Sequence, residues 1–123
     1  MLRKRAKPWD KGKAAGTRMR VSKKPWKSRA HLDRVKAEPC LARYLVFVHC
    51  GGPMDPHHCR KLLPSGLLPR HDYFAVPLCR AHHRCMDGDE RAVWSVWGID
   101  PTKFIARFSE EGRQAIAALK HKD

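Results

Sequence analysis

Five cysteines and eight histidines in a chain of 123 residues are the part of this sequence that can do chemistry. Cys79-Arg80-Ala81-His82 has the two-residue gap of a zinc-binding half-site, in which both side chains at the mouth of a helix can reach one ion. The other half must come from upstream, where Cys40 and Cys50 are the best candidates, with His49 as a possible substitute for Cys50. Cys40, Cys50, Cys79 and His82 would then hold a structural Zn2+ in a tetrahedral site; the alternative is that they are buried thiols without a ligand. A second group is His57, His58, His83 and Asp87. Neighbouring residues on a strand point to opposite faces, so His57 and His58 have different tasks: one can ligate a metal while the other faces a nucleophilic water. His83 and Asp87 are four apart and would share a helix face. Two imidazoles and a carboxylate with open positions suit a divalent cation that hydrolyses a phosphodiester, with a neutral histidine beside it as general base. Cys59 and Cys85 read as buried thiols, or as parts of a further site.

These groups need elements to carry them. The spacing predicts a short helix over 31–36, a strand over 44–48 and the histidine pair after the Gly51-Gly52-Pro53 break. A loop follows over 61–72, then a strand over 73–78 and a helix over 80–87 that stops at Gly88. A helix over 90–97 ends at Gly98, Asp100-Pro101 caps and starts the next, and Ala115, Ile116 and Leu119 mark a last short one. The expected fold is a small α+β domain over residues 31–123, too short of large aliphatics to be stable without a metal staple.

Charge separates the remainder of the chain from that body. Residues 1–30 hold twelve bases and one acid, which is +11 of the net +14. This basic arm reads as largely disordered without a ligand, and its charge calls for a polyanion. Arg3, Lys4, Arg5, Lys7, Arg18, Arg20, Lys23, Lys24, Lys27 and Arg29 are the expected DNA contacts; a solvated tail is the blander reading. Trp9 and Trp26 could stack on bases or pack on the body. No segment approaches the ~20 apolar residues of a membrane span, and no apolar stretch follows the charged N-terminus as in an export signal. With unpaired cysteines, that places the chain in a reducing compartment, the cytoplasm and nucleoid of a bacterial host.

Pro56-His57-His58 followed by Val76-Pro77-Leu78-Cys79-Arg80-Ala81-His82-His83 resembles the ββα-metal motif of the HNH, or His-Me finger, endonucleases. The wider string to Gly98-Ile99-Asp100-Pro101 is similar to phage and prophage members, among them the Ref-like (recombination enhancement function) nucleases with basic N-terminal arms. The resemblance covers about residues 31–108. It implies that His58 is the general base, and that His57, His83 and Asp87 bind a catalytic Mg2+ or Mn2+, with Zn2+ as a further option. The family's middle Asn falls on Phe74, and the resemblance suggests Asp72 in its place. It also implies duplex, single-stranded or branched DNA as substrate and a RecA-type filament as partner. The rival expectation is a non-catalytic zinc-finger DNA-binding or packaging-accessory protein on the same scaffold. A ribosome-associated zinc protein would explain the arm but not the histidines.

Overall fold

The computed structural model of the chain describes residues 24–62 and 67–121. Strands β1 (His57–His58) and β2 (Ala75–Val76) pair antiparallel, with His57 opposite Val76 and His58 opposite Ala75. The pairing extends beyond them: Cys59 N–H donates to Phe74 O, Asp55 N–H donates to Leu78 O, and Met54 bridges Cys79. A single 3-10 turn, Asp72–Phe74, leads into β2. The helices are α1 (Arg29–Lys36), α2 (Arg80–Arg84), α3 (Glu90–Trp97), α4 (Pro101–Phe108) and α5 (Glu110–His121). The architecture is a small α+β fold, and among the described residues no helix is long and apolar enough to cross a membrane.

Local chemistry explains most of the boundaries. Ser28 Oγ accepts from His31 N–H and starts α1. Asp89 and Asp100 accept from Ala92 and Thr102 N–H and start α3 and α4, with Pro101 supplying the preset first turn. Gly98 closes α3 in the left-handed conformation, at φ 71°, where a Cβ would be unfavourable. Phe74, Val76, Leu78, Trp94, Phe104, Ile105 and Ile116 form one core beneath the strands. Every apolar face picked out in α3 and α4 turns into it.

Five boundaries differ from the sequence expectation. The strand expected over 73–78 is only Ala75–Val76, because Tyr73 and Phe74 lie in the 3-10 turn before it. Residues 44–48 are not a strand but an exposed loop, with Tyr44 and Val46 about four-fifths exposed. As an extended strand they would span roughly 16 Å, whereas the loop must bring Cys40 and Cys50 to the same point. The helix after Cys79 stops at Arg84 instead of reaching 87, because Cys85 and Met86 N–H close onto His82 and His83 carbonyls and Met86 turns into the core. The boundary set by charge at residue 30 falls inside α1. Trp26 already packs on His31 and Tyr73, and Asp72 N–H donates to Trp26 O. The last helix is longer than its three apolar residues suggested, running from Glu110.

Gly112 lies where α5 crosses α4. A Cβ there would overlap the Ile105 carbonyl oxygen and meet Ile105 Cγ2 at 2.9 Å. Gly112→Ala should therefore destabilise the fold by about 1–3 kcal/mol despite the better helix propensity of alanine, because the obstacle is backbone. Thermal unfolding checks this; an unchanged or raised midpoint would mean that the helices separate freely.

Candidate functional site

Three chain segments deliver Cys40, Cys50, Cys79 and His82 to one point, and their ligand atoms lie within 4.8 Å of one another. Cys40 follows α1, Cys50 ends the exposed loop, Cys79 precedes α2 and His82 lies in its first turn. The three sulfurs stand 3.4, 3.7 and 3.2 Å from His82 Nδ1. Zinc bonds of ordinary length at tetrahedral angles would put sulfur and nitrogen about 3.6 Å apart. His82 Nε2–H donates to Val48 O at 2.7 Å, which fixes the tautomer and leaves Nδ1 bare for an ion. Gly51 N–H and Cys79 N–H point at the sulfurs of Cys79 and Cys40, as backbone donors do to thiolates.

The electrostatics agree with the geometry. Burial raises the Cys79 thiol, but the backbone donors of His82 and Gly51 outweigh it and bring it down to about 6. Cys50 is pushed up to about 12, by desolvation and then by the charge of Cys40 beside it. A pocket that favours one thiolate and refuses the next is short of positive charge, which a divalent cation supplies. This Cys3His cluster can hold a metal such as zinc. His49 is not part of it.

On the strands, the two adjacent histidines meet different partners. His57 Nε2–H donates to Glu90 Oε2 at 2.9 Å, and its ring lies 5.1 Å from that of His83, centroid to centroid. His58 Nε2–H donates to Asp72 Oδ1 at 3.0 Å, and Asp72 Oδ2 accepts from Ser28 N–H at 2.7 Å. Burial lowers His58 below the usual imidazole range, and Asp72 only partly restores it, so the ring is neutral near pH 7. Burial raises the Asp72 carboxyl, but the bonds from Ser28 and His58 prevail and hold it ionised. Phe74, at the position expected of an asparagine, is fully buried in the core and takes no part.

Asp87 does not join His57 and His83. Asp87 is exposed in the turn beyond α2, and neither it nor His83 belongs to a group of convergent ligand atoms among the described residues; His83 meets His57 through the ring contact alone. The four-residue spacing loses its meaning once the helix ends at Arg84. Two other carboxylates stand there instead. Asp55 Oδ2 accepts from His83 Nδ1–H at 2.9 Å and from Arg80 Nε–H at 3.1 Å, and the His83 bond holds its carboxyl low. Asp55 could have been found, since it sits two residues before His57 on an extended segment and so shares its face. Glu90 had no such signal, because it reaches His57 across 33 residues. Cys59 is fully buried and its thiol, raised by burial, lies with His57 and Glu90 in a second group of possible ligands. Cys85 is half-buried and donates to Ala81 O.

Of the expected DNA contacts, Lys24, Lys27 and Arg29 are exposed at the start of the described chain. Arg3, Lys4, Arg5, Lys7, Arg18, Arg20 and Lys23 lie outside the described residues, as does Trp9. Trp26 packs against the body. One family model matches residues 14–111, under the description "Protein of unknown function (DUF968)". No curated protein and no solved structure matches the chain.

Proposed function

Since the chain belongs to the DUF968 family, whose description assigns no activity, we propose from its own residues that it is a metal-dependent DNA endonuclease with a ββα-metal core. The observation that carries this reading is the His58–Asp72 pair at 3.0 Å, one residue along β1 from the histidine whose ring lies 5.1 Å from that of His83. Such a juxtaposition puts a neutral, oriented imidazole next to two imidazoles able to bind an ion.

In this reading the Cys3His cluster is the staple, and the chemistry belongs to the strand pair. His58 gives Nε2–H to Asp72, so its Nδ1 is the atom that takes a proton from water. Asp72 fixes the tautomer and steadies the imidazolium that forms. His57 and His83 would hold the divalent ion, and Asp55 replaces Asp87 as the nearby carboxylate. The ion, when bound, would withdraw charge from the phosphoryl oxygens and the leaving oxygen. The basic arm supplies affinity through phosphate contacts, which carry little sequence information, so cleavage should be weakly sequence-specific.

The test is nicking of supercoiled plasmid by the zinc-loaded chain with Mg2+, Mn2+, Co2+ or Ni2+. Relaxed circles that depend on the added ion are expected. A chain that binds DNA but never nicks it under any of these ions leaves a non-catalytic zinc scaffold as the correct description. Deleting residues 1–23 removes nine of the twelve N-terminal bases but spares the Trp26–Ser28 segment that braces Asp72. DNA affinity should fall and its salt dependence should flatten, by about 0.9 in log–log slope for each phosphate that is no longer neutralised. An unchanged slope would exclude the arm as the DNA-binding element.

A further inference from the structure

Glu90 has no step in the chemistry above, yet it is only 4% exposed. A buried carboxylate is costly unless several donors meet it. Here they do. Oε2 accepts from His57 Nε2–H at 2.9 Å and from Trp94 Nε1–H at 3.0 Å, and Cys59 Sγ lies within 4.8 Å of the same atoms. Glu90 is also the first residue of α3, where the helix dipole favours a negative side chain. The fold thus spends a helix start and an indole donor on holding one carboxylate against one histidine.

Two roles fit this arrangement. Glu90 could be a metal ligand, together with His57 and Cys59, or it could hold His57 while His57 binds an ion elsewhere. Access separates them. Cys59 is wholly buried and Glu90 nearly so, while the His83 side chain is one-third exposed. An ion that must meet water and a phosphate needs the His83 side. The bond to Glu90 also occupies His57 Nε2 as a donor, which leaves Nδ1 as the nitrogen free to ligate. Asp55 treats His83 in the same way, taking Nδ1–H and leaving Nε2.

We infer that Glu90 is a positioning residue, a buried carboxylate that locks the His57 ring and tautomer so that Nδ1 is presented to the ion shared with His83. The inference rests on the reading of His57 and His83 as ligands of an open centre. Outer carboxylates of this kind typically change metal affinity by about 10–100-fold when removed.

The experiment titrates Mn2+ into the zinc-loaded full chain, by calorimetry and by the loss of the free-ion spin-resonance signal. Glu90→Gln keeps the size of the side chain and an acceptor for Trp94 but removes the charge. It should weaken Mn2+ binding about 10–100-fold with the zinc content unchanged. Cys59→Ala should leave Mn2+ affinity as it is. A matching loss in Cys59→Ala would overturn positioning in favour of a His57–Cys59–Glu90 metal site, and no loss in Glu90→Gln would overturn it outright. Should Glu90→Gln not fold, histidine 15N spectra of the unmutated chain decide. His57 should keep Nε2–H when a diamagnetic ion such as Cd2+ is added, with the shift at Nδ1; a shift at Nε2 sinks the inference. Mn2+ binding that responds to Glu90 in a chain that never nicks DNA would end the nuclease reading and leave this one standing. A chain with no second ion site ends both.

Discussion

Stripping the metal from the Cys3His cluster is expected to unfold the body of this protein, not merely to loosen one end of it. The cluster ties together the segment after α1, the loop that ends at Cys50, the end of the strand pair and the start of α2. Structural zinc in small domains contributes about 10–16 kcal/mol of apparent binding energy. A folded domain has about 5–15 kcal/mol in total, so the loss is of the same size as the whole. Without the ion, three sulfurs and a ring nitrogen remain crowded within 4.8 Å, and Cys79 and Cys50 are already driven apart in their protonation. The signal is built in, because Trp97 stands edge-on to the His82 ring at 5.5 Å and Trp94 packs on Trp97 at 5.7 Å. A strong chelator, or Cys79→Ser, should shift the tryptophan emission to that of exposed indole and abolish the cooperative thermal transition. Readdition of Zn2+ should restore both for the unmutated chain only. A metal-free chain that still melts cooperatively at the same temperature would show that the cluster is not the staple.

Ligand spacing and helix punctuation are the legible parts of this sequence. The Cys-x-x-His half-site, the Asp89 and Asp100 caps, Pro101 and Gly98 are short-range signals, and each lies where its local chemistry requires. Residues 44–48 mislead for an instructive reason. Leu45, Val46, Phe47 and Val48 have strand composition, but the tether at Cys40 and Cys50 overrides propensity: Val46 and Phe47 are left in solvent, while Leu45 packs against the core. Asp87 misleads because a four-residue spacing aligns side chains only on a helix, and Met86 gains more by turning inward than by continuing it. Asp72, by contrast, is suggested only by the resemblance to the HNH nucleases, and it is the residue that accepts from His58. The carboxylates that clamp the other two histidines are harder. Glu90 looks like an ordinary first-turn acid until the fold brings α3 under β1, a contact that no local pattern encodes.

The second large effect concerns the His58–Asp72 pair. His58→Ala should reduce ion-dependent nicking by about 10²–10⁴-fold, the usual contribution of a positioned general base. The His58 side chain is only 11% exposed, so the truncation leaves a gap, but the Cys3His cluster draws its ligands from other residues and should keep its ion. Zinc content therefore acts as the control for folding. Asp72→Asn is the more searching variant. Asn keeps a carbonyl oxygen to accept from Ser28 N–H, but it can turn its amide NH2 toward His58 Nε2. Nε2 would then become the acceptor and the proton would move to Nδ1, the atom that must be bare to take a proton from water. The expected result is a fall in kcat with little change in DNA affinity. Asp72 acts only through His58 in this account, so the double variant should be no worse than His58→Ala alone. Losses that multiply instead would give Asp72 a separate role, such as binding the metal or the DNA, and would remove the dyad from the mechanism.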